Sequence, residues 1–342
     1  MDDLNPFSFD FREPEPCEEV VEPNPAPACG PLISAPGAYP DIEIADYHGR
    51  EICPAPSISS TGLKRLVPFT ELQSKGHSPR HYWEGSPLNP NRKPQEQSDA
   101  LRIGSAFHDA LLLPERWADP RFYHFLPEGF SRAAKVKQAD EIAAADTAAS
   151  LGRCLISVDE RSHIEAMVKA MRSHPAANAV LSNGAAETTL AWQDAETGVW
   201  LRCRPDWLPK ARHIGINVKS TKDASYVGFQ KDVTNFRYAM SAALEMDGIA
   251  AVYGKAPGNY LHPVVEKPGT NWQPGDYLPV ALWELPPADI EMGRALNRRA
   301  IRIFADCLSA DRWPGYADEP SYCGMSSWAH RIIDKAIEAE GV

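Results

Sequence analysis

A mixed α/β chain is what this sequence predicts, on two observations. Residues 187–219 fall into short runs of alternating side chains divided by turn residues, the period-two pattern of a strand meander. On both sides lie stretches whose apolar residues recur at three and four positions, the pattern of helices packed on one face. The 342 residues suffice for one large domain with additions or for two domains, and 43% of them are hydrophobic, enough for a sizeable core.

Taken in order, residues 1–45 come first and are rich in proline and acid, with Arg12 the lone basic residue against ten carboxylates. Such a segment buries little and is expected to form an extended or disordered arm ahead of a domain at 46–342. Ser60 or Thr61 can cap a short helix carrying Leu63 and Leu66, and Ser78-Pro79 starts another. In 99–113, Leu101, Gly104, His108 and Leu111 share a helical stripe, with Gly104 expected to allow close approach to a sheet. Residues 131–149 read as a helix opening on Arg132, Lys135 and Lys137, which are candidate phosphate contacts or a solvated face. Residues 159–174 form an amphipathic helix through Ile164, Met167, Val168 and Met171, stopped by Pro175.

Glu187 opens the meander, Glu196-Thr197-Gly198 turns it, and two further runs follow over 199–220. In the first, Trp200, Arg202, Arg204 and Asp206 fall on one face. In the second, Ile214, Ile216 and Val218 fall on one face and Gly215, Asn217 and Lys219 on the other. A turn between them can bring Asp206 beside Asn217 and Lys219. An acid, a second oxygen ligand and a lysine two positions on is a pattern that can hold a divalent cation against a phosphodiester. Two helices are expected over 224–253, strands near 259–266 and 276–285, and a long helix from Pro286-Pro287.

Composition excludes several classes. Seven cysteines at irregular spacing, with no CxxC pair, argue against a disulfide scaffold or a zinc ribbon. No run approaches the roughly 18 apolar residues of a membrane helix, and the first residues show no secretory leader, so a cytoplasmic protein is expected. The net charge of −11 argues against a simple nucleic-acid coat, though not against a basic channel in an acidic body.

Several separated motifs then line up. They are Ser57-Ile58-Ser59, Ser78-Pro79 with His81-Tyr82, Gly104-Ser105-Ala106-Phe107-His108 and Leu113-Pro114-Glu115-Arg116. Arg202-Cys203-Arg204-Pro205-Asp206, Val218-Lys219-Ser220-Thr221, Arg237-Tyr238, Asp247-Gly248 and Trp313-Pro314-Gly315-Tyr316 complete the series. In this order, over roughly residues 47–316, the chain resembles the phage exonuclease VIII (RecE) family of PD-(D/E)XK nucleases. That resemblance implies a three-layer α/β fold around a central mixed sheet flanked by helices. It implies a Mg²⁺-dependent exonuclease, with Mn²⁺ as substitute, acting 5′ to 3′ on linear double-stranded DNA. The implied partners are duplex ends, a single-strand annealing recombinase and further copies of the chain in a trimeric or tetrameric ring.

Residue by residue, the resemblance makes His108, Asp206, the residue at 217 and the carbonyl of Val218 metal ligands, with Glu187 an outer candidate. Lys219 would orient water and stabilise developing charge. Arg202 and Arg204, with Arg132, Lys135 and Lys137, would face DNA. The sequence departs from the family at three places. Asn217 stands where an acid is usual, and Ser241 and Glu245 stand where Gln and Tyr usually follow Tyr238 along the motif helix. Glu245 could return the missing negative charge. The alternative is a nuclease-fold protein without catalysis that binds DNA ends or recruits a partner.

Overall fold

Two sheets meet at a sharp break in the chain, and that break builds the site. The structure is a computed structural model, describing residues 31–68, 75–93, 98–131, 133, 138–317, 319–320 and 322–340. The first elements are β1 (Gly37–Tyr39), α1 (Ile44–Tyr47), β2 (Ser57–Ser59), α2 (Ser60–Leu66) and α3 (Pro79–Gly85). Next come α4 (Asp99–Leu112), α5 (Pro114–Ala118), β3 (Tyr123–Phe125), α6 (Ala139–Ser150), β4 (Cys154–Ile156), α7 (Val158–Ser173) and α8 (Pro175–Val180). The strand-rich centre holds β5 (Gly184–Ala186), β6 (Thr189–Gln193), β7 (Trp200–Cys203), β8 (Trp207–Pro209), β9 (Ile214–Ile216) and β10 (Lys219–Thr221). Last are α9 (Tyr226–Asn235), α10 (Tyr238–Tyr253), β11 (Asn259–Glu266), β12 (Val280–Glu284), α11 (Pro287–Ala310) and α12 (Ser327–Glu340).

Strands β1-β6-β7-β2 form one sheet, β10-β11-β9-β8-β5 form a second with β12 also on β11, and β3-β4 form a small third. The run 199–206, read as one strand, is therefore two pieces. β7 ends at Cys203, the chain turns through Arg204-Pro205-Asp206, and β8 starts in the second sheet. Proline at 205 cannot donate to a ladder, so pairing stops there. β9 and β10 keep one register along the same edge of β11, Ile214 facing Asn259 and Lys219 facing Val264. They are divided at Asn217-Val218 because Pro263 of β11 has no N–H to give. The Asn217 carbonyl takes the imidazole Nδ1–H of His262 instead, at 2.8 Å.

Alternation along β9 then sorts the layers. Ile216 and Val218 pack with Phe107 and Leu111 of α4 and Ile164 and Met171 of α7. The opposite face meets α10, where Tyr260 packs on Ala242, Ala243 and Met246. α11 seats α10 by crossing it at Gly293, where an added Cβ would come 2.3 Å from the Ala239 carbonyl oxygen. The central sheet thus lies between two helical layers, as expected. Side-chain caps start the helices that frame the site: Ser98 for α4, a Ser157/Glu160 capping box for α7 and Ser225 for α9.

Three expectations are corrected. Residues 1–30 lie outside the described residues, but the rest of the assigned arm belongs to the fold. β1 pairs with β6, and Ile33, Tyr39 and Ile42 are buried. Gly104 has nothing within 4 Å of its notional Cβ and Leu101 is 64% exposed, so the first part of that stripe does not approach a sheet, although Leu111 does. Ala106, Phe107, Ala110 and Leu111 form the buried face instead. The helix assigned to 131–149 begins at Ala139, and Arg132, Lys135 and Lys137 lie outside the described residues. Among the described residues no helix is long and apolar enough to cross a membrane.

Candidate active site

Asp206 occupies the break between the sheets, and four elements bring side chains to it. α4 carries His108, whose Nδ1 lies 3.7 Å from Asp206 Oδ1. β10 carries Lys219, whose Nζ lies 3.7 Å from Asp206 Oδ2. The residue after β5, Glu187, is in the left-handed region at φ 53°, rare for a residue with a side chain. Its amide donates to the Asp206 carbonyl at 3.2 Å, which fastens the two acids together. Ligand atoms of His108, Glu187 and Asp206 all lie within 4.8 Å of one another. They face a cleft of about 330 Å³ that Ser59, Ser105, Ser241 and Glu245 also line.

The fourth element is α10. Asn217 Nδ2 donates to Glu245 Oε1 at 3.3 Å, and Tyr260 Oη donates to Glu245 Oε2 at 2.5 Å. The strand position that lacks an acid is therefore hydrogen-bonded to an acid from the helix. Burial, and then the charge of Asp206, pushes the Glu245 carboxyl up to about 8. The same two causes raise Glu187, although Arg204 Nε donates to it at 2.6 Å. Two carboxyls pushed upward by burial and by the charge of one shared neighbour mark a site with surplus negative potential.

Those donors fit a divalent cation. Asp206 Oδ2 and Asn217 Oδ1 are buried and accept no hydrogen bond within the protein. Buried polar oxygens are otherwise almost always satisfied, and oxygen-rich sets with one imidazole suit hard or borderline divalent ions. The Val218 carbonyl, read from the resemblance as a further ligand, accepts from Lys219 Nζ at 3.0 Å.

The positive side of the site has two lysines, one of them missed in the sequence. Lys64 of α2 donates to Ser241 Oγ at 2.5 Å, and Ser241 Oγ pairs with Ser60 Oγ at 3.0 Å. Burial, then the charges of Lys219 and Arg237, pushes Lys64 down to about 7. Tyr238 lies under both ammonium groups, 5.4 Å from Lys219 and 6.0 Å from Lys64. His262 was also missed. It holds the backbone between Asn217 and Lys219, and burial drives its imidazole down to about 3, so it stays neutral. A His-Pro pair inside a strand was the available signal.

Arg202 and Arg204 do not lie on an open strand face. Arg202 is 4% exposed and donates to the Tyr47 carbonyl and to Ser57 Oγ. Arg204 is taken up by Glu187 and the Ile42 carbonyl. Alternation placed them on one face, but that face is covered by the segment around Tyr47, assigned in part to the arm.

The family model described as "PDDEXK-like domain of unknown function (DUF3799)" matches residues 70–326. Among solved structures, a "putative exonuclease" from Eubacterium rectale is similar at 16% identity and a TM-score of 0.44, over 82% of this chain and 92% of that one. A phage related exonuclease from Haemophilus somnus 129PT is similar at 10% identity and a TM-score of 0.26, over 75% of this chain and 96% of that one. No curated protein matches.

Proposed function

The chain belongs to the family of PDDEXK-like domains (DUF3799), and from that premise we propose that it is a Mg²⁺-dependent exonuclease on linear double-stranded DNA. The observation that carries the reading is the convergence of His108, Glu187 and Asp206, with the Lys219 ammonium 3.7 Å from Asp206. The 5′ to 3′ direction, the 3′ single-stranded tails and the annealing recombinase that would receive them rest on the resemblance of the sequence motifs. A cytoplasmic location rests on the sequence alone.

His108, Glu187, Asp206, Asn217 and Glu245 are the residues that would hold the cation. Bound there, Mg²⁺ or Mn²⁺ supplies Lewis-acid polarisation of the phosphodiester and a lowered pKa for bound water. Lys219 presents its ammonium from the strand edge, beside the charge that develops on phosphoryl oxygen. The Tyr238 ring lies 5.4 Å from that ammonium, a cation–π contact that helps to place it. Lys64 adds a second donor one side chain away, anchored by the Ser60–Ser241 pair.

The test is release of acid-soluble nucleotides from linear and closed-circular duplex, with Mg²⁺, Mn²⁺ or EDTA. Release is expected only from linear duplex with metal present, and Lys219→Ala is expected to lower it about 10²–10³-fold. A second reading is favoured by Asn217, the missing strand acid: a non-catalytic module that holds DNA ends. Metal-independent binding of ends without nucleotide release selects it and overturns the enzyme.

The ring assembly is proposed on α12. None of its residues is buried, and Trp328, Ile332, Ile333 and Ile337 are exposed. A 14-residue helix is marginal in water without a packing partner. Arg331 and Lys335 alternate with Asp334 and Glu338, charges complementary to a second copy of the same helix. Removing residues 327–342 is expected to lower the mass by light scattering to that of one chain, and an unchanged mass rejects this interface.

A further inference from the structure

A second cavity, of about 550 Å³, adjoins the acidic cleft, and Ser59 and Thr61 line both. Its chemistry is the reverse. Arg65, Arg92, Arg202 and His48 line it with the hydroxyl-bearing Ser57 and Ser86, and no carboxylate appears among its described lining residues. Arg202 is the informative member. Its guanidinium is buried, held by a carbonyl and a hydroxyl over the Tyr47 ring, and has no carboxylate partner among the described residues. A buried charge without a counter-charge is costly, so the fold keeps a cation where an anion would lower its energy. Arg65 and Arg92 also carry no ion pair among the described residues. Burial first, and then the charges of Arg202, Arg204 and Arg92, lowers His48, an independent sign of positive potential there.

We propose that this cavity is a phosphate subsite for the DNA strand, holding one phosphate group through Arg65, Arg92 and Arg202 while the strand passes Ser59 and Thr61 into the acidic cleft. The guanidinium fork matches phosphoryl oxygens in pairs. The phosphate is either a strand's terminal monoester or a backbone diester, which share this chemistry. The proposal rests on the nuclease reading for its ligand but not for its measurement, because the subsite needs no metal.

The experiment is binding of a fluorescent duplex in EDTA, across a salt series, by the full chain and by Arg92→Ala and Arg65→Ala. Arg92 is exposed and its replacement leaves the core untouched; melting curves check that both variants fold. Each variant is expected to bind about tenfold more weakly and to flatten the salt slope by about one. A 5′-phosphorylated duplex and its 5′-hydroxyl twin separate the sources. Loss confined to the phosphorylated duplex assigns a terminal monoester, and equal loss assigns a backbone diester. Inorganic phosphate is expected to raise the melting temperature of the wild type more than that of either variant. Unchanged affinity and slope in both folded variants, or no duplex binding by the wild type, overturns the subsite. Nucleotide release by the wild type with unaltered binding by the variants refutes the subsite alone. Weakened binding in the variants without any release refutes the nuclease alone.

Discussion

Asp206→Asn is expected to lower metal-dependent nucleotide release by about 10³-fold or more while the protein still folds. Asp206 is the side chain that the other groups share: His108 and Lys219 each approach it to 3.7 Å, and Glu187 is tied to its carbonyl. Removing a unit charge about 4 Å from another changes the interaction by about 4 kcal/mol at an effective dielectric near 20, and a divalent ion responds more strongly. Each ~1.4 kcal/mol is tenfold in rate, so three decades is the smaller end of the expected loss. Stability should move the other way. The Asp206 charge is the second-ranked cause that raises both Glu187 and Glu245. Without it, the metal-free variant at pH 8 should melt no lower than the wild type. The checks are nucleotide release with Mg²⁺ and melting in EDTA. Release within tenfold of wild type would remove Asp206 from the chemistry.

Part of this site could be read from the sequence, and the division has physical causes. Alternation fixes which residues of a strand share a face, so Asn217 and Lys219 were legible together, apart from Ile216 and Val218. His108 entered as a ligand only through the resemblance of the motifs. Alternation does not say which face another segment covers. Arg202 and Arg204 were therefore misread as lying on an open face, because the covering segment around Tyr47 lies near a stretch whose composition suggested an arm. Nor does it say where a strand changes sheets. Pro205 ended β7, and only the three-dimensional path shows that Asp206 then stands at a junction. Lys64 and His262 could not be placed, because their roles depend on contacts across 177 and 45 positions of chain. Composition argued against simple nucleic-acid binding by net charge. The basic cavity shows why that argument is coarse: four cationic or imidazole groups gather in one place while the surplus acid lies elsewhere.

The second large effect concerns where the missing acid has gone. Glu245→Gln is expected to lower metal-dependent release about 10²–10³-fold, because the helix carboxylate then no longer completes the negative set that Asn217 leaves short. Asn217→Asp alone is not expected to improve the enzyme freely. It replaces a donor 3.3 Å from Glu245 Oε1 with a second carboxylate, and two buried acids at that distance repel. The double variant Asn217→Asp with Glu245→Gln moves the charge from helix to strand and reverses the hydrogen bond, with Gln now the donor. It is expected to recover to within about tenfold of wild type. Recovery no greater than the sum of the single effects would mean that the two positions act independently.

A pH series gives a separate reading of the same carboxyl. Glu245 rises from an ordinary 4.5 to about 8 in the fold. Between those values the folded chain binds the proton more tightly than the unfolded chain does. This group's contribution to stability is therefore fully present below about pH 4.5 and is lost as pH rises towards 8, by up to about 1.4 kcal/mol per pH unit. Lys64, lowered from 10.5 to about 7, and His262, lowered from 6.5 to about 3, contribute opposite slopes that overlap that window, so the quantity to measure is the difference between wild type and Glu245→Gln in EDTA. The wild type is expected to lose stability relative to the variant from pH 5 to pH 8. Adding Mg²⁺ should shrink the difference, since a cation favours the ionised carboxylate that burial disfavours. Parallel pH profiles with and without metal would place Glu245 outside the cation's reach and leave Asn217 as an uncompensated loss.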